Sequence, residues 1–192
     1  GVAGKELSGA VRQMVEDKGI QYFPEHQLES VNSEEKMLCF SNGSKAHYDL
    51  LAYVPTHKVP DVIKASGLAG DSGWVPVDRN TLETKYENIF AIGDITGIPL
   101  ALGKPLPKAG VFAHYQAEVV AYNIAVDILG SGKRKTFTGN GECFIELGDG
   151  KAGFARGNFY NEPLPNVNMF KPGRHWHAGK VLFEKDWFRR WF

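Results

Sequence analysis

Residues 87–97, Glu-Asn-Ile-Phe-Ala-Ile-Gly-Asp-Ile-Thr-Gly, constrain the fold more than any other stretch of the chain. Ile89-Phe90-Ala91-Ile92 reads as a short buried apolar strand that stops at Gly93-Asp94. A loop with three prolines and two glycines runs from Gly97 to Lys108. Pro107 is then placed as the first residue of a helix from about Lys108 to Leu129, closed by Gly130. Strand, glycine-acid turn, loop and helix make a ligand cleft at the carboxyl end of a sheet. The helix start offers unpaired N–H groups and a partial positive charge. Gly93 lets the backbone come close, and Asp94 can accept hydrogen bonds from sugar-like hydroxyls. An aspartate that only caps a solvated loop would have the same spacing, so both readings stand at this point.

The flanking sequence organises around that cleft. Leu7 to Lys18 is expected to be a helix, with Leu7, Val11, Met14 and Val15 on one face and Gly19 as its stop. Ile20–Phe23 reads as a strand, and residues 28–55 as an antiparallel meander with turns at Asn32–Lys36 and Asn42-Gly43. This order suits the back half of a nucleotide-binding α/β unit without its first strand and Gly-rich turn. A linker with a short helix over Pro60–Ser66 follows, then a strand at Trp74–Val77. After a basic connector at 133–138, Cys143–Leu147 and Ala152–Tyr160 read as strands joined by Gly148-Asp149-Gly150. Asn161–His177 reads mostly as loop, and Gly179–Phe192 as a last helix. Three regions result: 1–55, 56–135 and 136–192.

Twenty-two acidic side chains balance 22 basic ones, so no global field points to nucleic acid. Two cysteines, Cys39 and Cys143, make neither a disulfide scaffold nor a zinc site. No run of about 18 apolar residues could span a membrane. Gly148–Gly153 satisfies G-x-G-x-x-G, yet the residues after it alternate and lack helical periodicity, so Asp149-Gly150 is expected to be a hairpin turn.

Thr81–Asp94, Thr-Leu-Glu-Thr-Lys-Tyr-Glu-Asn-Ile-Phe-Ala-Ile-Gly-Asp, resembles the second flavin-binding motif of the pyridine-nucleotide/disulfide FAD oxidoreductases. Residues 49–68, 108–124 and 141–160 together resemble the branch of sulfide:quinone oxidoreductases, flavocytochrome c sulfide dehydrogenases and type-II NADH dehydrogenases. The resemblance implies an α/β fold. The chain would be the C-terminal part of a flavoprotein with two Rossmann-like dinucleotide-binding domains, ending in a β-hairpin and an amphipathic helix. Residues 1–55 would be the back half of the NAD-like domain, 56–135 the C-terminal part of the FAD domain, and 136–192 the quinone and membrane side. It further implies FAD as cofactor, with Asp94 on a ribitol hydroxyl, Gly93 giving close approach, and Lys108, Ala109 and Gly110 at the helix start beside the flavin. Electrons would pass from sulfide or NADH through FAD to a quinone. The FAD phosphate fingerprint is not in these residues, so this chain alone is expected to bind FAD weakly or not at all and to be inactive.

The resemblance gives Cys143 a catalytic role, relaying sulfur and electrons with a second cysteine upstream of Gly1. A packed strand cysteine is the other reading, as it is for Cys39. Phe144 would wall a quinone pocket or simply pack. His175-Trp176-His177 puts two imidazoles on one face of a strand-like segment, too few for a metal site; one could supply protons to a reduced quinone. Phe183, Trp187, Phe188, Trp191 and Phe192 form one helical stripe. It suits an interfacial membrane anchor, a helix buried on its own domain, or a dimer contact. The expected location is cytoplasmic or at the membrane periphery, and exposed strand edges favour a homodimer or a strand-swapped assembly. The alternative to an enzyme is a non-catalytic membrane-docking or dimerisation module on a flavoprotein scaffold.

Overall fold

The computed structural model describes residues 4–192, which fall into two compact units divided within the first helix. Val11–His57 is one unit; Lys58–Phe192, with the chain before Val11, is the other.

Helix α1 (Lys5–Glu16) ends as its sequence requires. Gly19 takes φ +72°, its N–H bonds the Glu16 carbonyl, and the Ile20 N–H reaches back to Val15. That is the paired closure of a glycine-stopped helix. It also spends the Ile20 N–H, and residues 20–23 form no strand: Ile20, Tyr22 and Phe23 are exposed, with no ladder beside them. The meander is present as β1 (Leu28–Asn32), β2 (Met37–Phe40) and β3 (Lys45–His47), in that order and antiparallel. Both turns lie where their asparagines dictate. Asn32 Oδ1 accepts from the N–H groups of Glu34 and Glu35, and Asn42 Oδ1 from that of Ser44. Residues 48–55, expected to continue the sheet, add no strand.

In the larger unit, α2 (Asp61–Ala65) precedes β4 (Val75–Pro76). The apolar stretch 89–92 is extended but is not a strand of a sheet. Phe90 makes a single bridge to Glu83, the Ala91 N–H bonds Leu82, and Ile89 is 41% exposed. The chain then tightens into a 3₁₀ turn at Gly93–Ile95 and enters β5 (Thr96–Gly97), parallel to β4. Helix α3 (Gly110–Leu129) starts later than expected: Pro107 lies outside it, and Ala109, fully extended, is its N-cap residue. Its end is as expected, with Gly130 left-handed. Leu82, Ile98, Leu100, Leu106, Phe112, Val119, Val120 and Phe137 form the core around it.

Strands β6 (Asn140–Gly148) and β7 (Lys151–Asn158) make the expected hairpin, with positive φ at both Asp149 and Gly150. A third strand, β8 (Asn166–Gly173), stands where loop was expected. Its proline misleads: Pro172 is tolerated because β8 is an edge strand. Helix α4 (Arg174–Trp191) begins five residues earlier than the sequence suggested and takes in His175-Trp176-His177.

Candidate functional site

Gly93, Asp94, Lys108 and Ala109 meet at one pocket, together with Thr96, Leu106, Pro107, Phe112 and Gln116. It is a shallow cleft with enclosed room for about one water molecule, so a ligand would lie against its open mouth rather than inside it. Gly110 opens α3 beside it. That helix has no side-chain cap and no acid in its first turn, and since the Phe112 N–H turns back to the Ala109 carbonyl, the N–H groups left available among the described residues are those of Gly110 and Val111.

The turn at the pocket floor is gripped from three directions. Gln116 Oε1 accepts the Gly93 N–H at 2.7 Å, and Thr96 Oγ1 donates to the Gly93 carbonyl at 2.8 Å. Lys108 Nζ donates to the carbonyls of Asp94 (2.6 Å) and Thr96 (3.0 Å). Above Lys108 lies the Trp74 ring, its centroid 3.4 Å from Nζ. Burial lowers the Lys108 pKa, against the opposing pull of Asp94. Gly93 is required twice: φ is +70°, and a Cβ there would lie 3.2 Å from the Ala113 Cβ, so the turn fits closely under α3. The Asp94 side chain is exposed and accepts no hydrogen bond from the described residues.

Cys143 is not among the residues that line the pocket; it lies on β6, the strand whose Gly141 meets the pocket wall. A Cβ on Gly141 would run into the Phe112 ring, and Phe112 is a wall of the pocket. Cys143 is two residues on, so it shares a sheet face with Gly141, about 7 Å along the strand. It is exposed along one flank, and desolvation by its surroundings pushes its thiol pKa up. Glu142, facing the other way, accepts a short hydrogen bond from Tyr115 of α3 and lies 3.6 Å from Arg156. α3 therefore grips both faces of β6.

Phe144 is on the face opposite Cys143, so the structure does not bring the two together. Its ring packs among Phe154, Trp176 and Phe183 under α4. His175 and His177 sit in the first turn of a helix and do not share a face. His177 Nδ1 and Lys180 both reach Glu146, at 3.0 and 3.3 Å. Desolvation raises the Glu146 pKa, but Lys180 and then His177 outweigh it and hold the carboxyl below its usual value. The aromatic stripe of α4 divides. Phe183, Trp187 and Trp191 stack in series, and the two tryptophan rings lie 5.9 and 6.3 Å from His114 of α3. Phe188 pairs with Phe192, which is 94% exposed. Among the described residues no helix is long and apolar enough to cross a membrane.

Trp74, Thr96, Tyr115 and Gln116 were not singled out from sequence. Gln116 had a readable signal: with Asn123 it is one of two amides seven residues apart in an otherwise apolar helical face. Trp74 had none, because its partner Lys108 is 34 residues away in the chain.

The sequence model of the pyridine nucleotide-disulphide oxidoreductases matches residues 1–117. The chain belongs to this family of oxidoreductases. Among family relatives, the mitochondrial sulfide:quinone oxidoreductase of Schizosaccharomyces pombe is 31% identical over 150 residues, 75% of this chain and 31% of that protein. The protein of the same name in Mus musculus is 25% identical over 167 residues, 83% of this chain and 36% of that one. The X-ray structure of the sulfide:quinone oxidoreductase from Aquifex aeolicus aligns with a TM-score of 0.78 at 23% identity, covering 95% of this chain and 44% of the other. The chain thus spans between about a third and under half of these relatives' length. The family's mixed α/β fold, with antiparallel sheets, is the one described above.

Proposed function

We propose that these residues form the C-terminal part of an FAD-dependent oxidoreductase that passes electrons from sulfide to a quinone. The single observation behind this reading is that one phenylalanine, Phe112, both walls the Gly93–Asp94 pocket and seats the start of the Cys143 strand. The names of the relatives supply the donor and the acceptor.

The residues fit a flavin. Asp94 presents an unbonded carboxylate suited to a ribitol hydroxyl. The uncapped start of α3 and the Lys108 ammonium favour negative charge at the ring edge. When bound, FAD supplies an acceptor of two electrons that can return them to a quinone. Gly93, Ala109 and Gly110 leave room for the ring to approach. Cys143 would act on the donor side, holding the sulfur as sulfide loses two electrons, with the bound FAD as their acceptor. Its raised pKa means that no cation among the described residues activates it, so activation falls to a second cysteine or to the bound cofactor. Phe188 and Phe192, with Arg189 and Arg190, would set α4 against a bilayer surface, where a quinone is reached without a spanning helix. Residues 1–55, 56–135 and 136–192 serve as NAD-like, FAD-binding and quinone-side regions in this scheme.

The test is made in the longer protein that carries these residues. It is expected to be purified with FAD, and Cys143→Ser is expected to abolish sulfide oxidation while FAD stays bound. Sulfide oxidation that survives Cys143→Ser removes the sulfide assignment, and flavin reduction by NADH would then take its place. A longer protein without flavin would leave only a docking or dimerisation module.

A further inference from the structure

Two amide side chains are buried on α3. Asn123 (0% exposed) is fully used: Nδ2 donates to the Lys135 carbonyl at 2.9 Å, and Oδ1 accepts the Lys135 N–H at 2.8 Å. Gln116 (1% exposed) is not. Its contact with Gly93 is to an N–H, which only the amide oxygen can accept, and this fixes the NH₂ on the other side. That NH₂ makes no hydrogen bond among the described residues, although Gln116 forms part of the wall of the Asp94 pocket. Its buried neighbours on α3 are Phe112, Val119 and Val120. The NH₂ is not sealed inside the protein: among the described residues the fully buried side-chain donor without a partner is Trp176 Nε1, so the Gln116 NH₂ keeps access at the pocket wall.

We infer that Gln116 binds the cofactor from the helix side: Oε1 holds the Gly93 turn, and Nε2 donates to an acceptor on the flavin edge at the mouth of this pocket. The inference rests on the flavin reading above and adds a residue to it. A donor there acts more strongly on an acceptor that carries negative charge. Gln116 should therefore favour reduced over oxidised FAD and raise the midpoint potential of the bound cofactor.

The experiment uses the longer protein, stripped of cofactor and titrated with FAD. Gln116→Glu keeps an oxygen for the Gly93 N–H and nearly the same size, but exchanges the donor for an acceptor. It is expected to weaken FAD binding by about tenfold or more, as for loss of a buried hydrogen bond, and to move the midpoint potential negative. Gln116→Met, which also lacks the donor, is expected to move the potential in the same direction and serves if the glutamate variant does not fold. Weaker binding at an unchanged potential would confine Gln116 to bracing the turn and overturn the donor role. An unchanged affinity and potential would overturn it too. Wild-type protein that takes up no FAD would instead overturn the flavin reading itself.

Discussion

The ammonium of Lys108 lies 3.4 Å from the centre of the Trp74 ring while donating to the carbonyls of Asp94 and Thr96. Trp74 precedes β4, whose ladder to β5 sets it against Gly97, where an added Cβ would come within 3.0 Å of the Trp74 Cβ. Indole, cation and turn therefore form one unit. Trp74→Leu is expected to destabilise the protein by about 1–2 kcal/mol and Trp74→Phe by clearly less, since a smaller aromatic face still attracts the ammonium. Urea unfolding of the two variants checks this; equal losses would mean that the ring only fills space.

Tyr115 donates to Glu142, and that bond, then burial, then the carboxylate charge, pushes its pKa up to about 12. The folded state thus keeps the phenol proton more tightly than the unfolded chain, whose value is near 10.0. The stabilisation is complete below pH 10 and is lost as pH rises through 12. An alkaline absorbance titration should show a late-titrating tyrosine that is missing in Tyr115→Phe. The variant should also lose about 1 kcal/mol at neutral pH, the usual net value of such a bond. Tyr160, also raised chiefly by burial, should remain late in both.

Much of this was legible in the chain, for local reasons. Gly130 stops α3, Asp149-Gly150 turns the β6–β7 hairpin, and Asn32 and Asn42 turn the meander, each through residues adjacent in sequence. The pocket was legible because Gly93-Asp94 and Lys108-Ala109 lie at opposite ends of one loop. What failed depended on distant partners. Ile20–Phe23 and Ile89–Ile92 have strand-like composition, but among the described residues no strand pairs with them along a ladder. The start of α3 lies past Pro107, with the backbone still extended at Ala109 and the Lys108 ammonium on the Asp94 and Thr96 carbonyls. β8 was hidden by Pro172, which an edge position permits.

Gly141 is where the Cys143 strand meets the pocket. Gly141→Ala puts a methyl into the buried Phe112 ring and is expected to cost about 1–3 kcal/mol, as overpacking does. If Phe112 moves to make room, FAD uptake by the longer protein should weaken as well. Thermal unfolding together with FAD titration measures both. A variant as stable as wild type would show that the two elements are not in firm contact.

The α4 aromatics separate into a pair of tryptophans near His114 and an outward pair, Phe188 and Phe192. Phe188→Ser with Phe192→Ser is expected to lower co-sedimentation with anionic liposomes several-fold and to lower the unfolding midpoint less than Trp187→Ala does, because both rings are more than half exposed. Liposome binding that is indifferent to the phenylalanines would rule out this face as the membrane contact.

Neighbouring positions on β6 serve opposite sides of the sheet: a thiol at 143, and a carboxylate and a ring at 142 and 144. Sliding this strand by one place against β7 would turn the sulfur off the face that Gly141 presents to Phe112 and put a different side chain there. The two-residue bend at Asp149-Gly150 is therefore the ruler that fixes which side of the sheet the thiol takes, and on the proposed function lengthening it by one residue should abolish sulfide oxidation by the longer protein without altering any residue of the pocket.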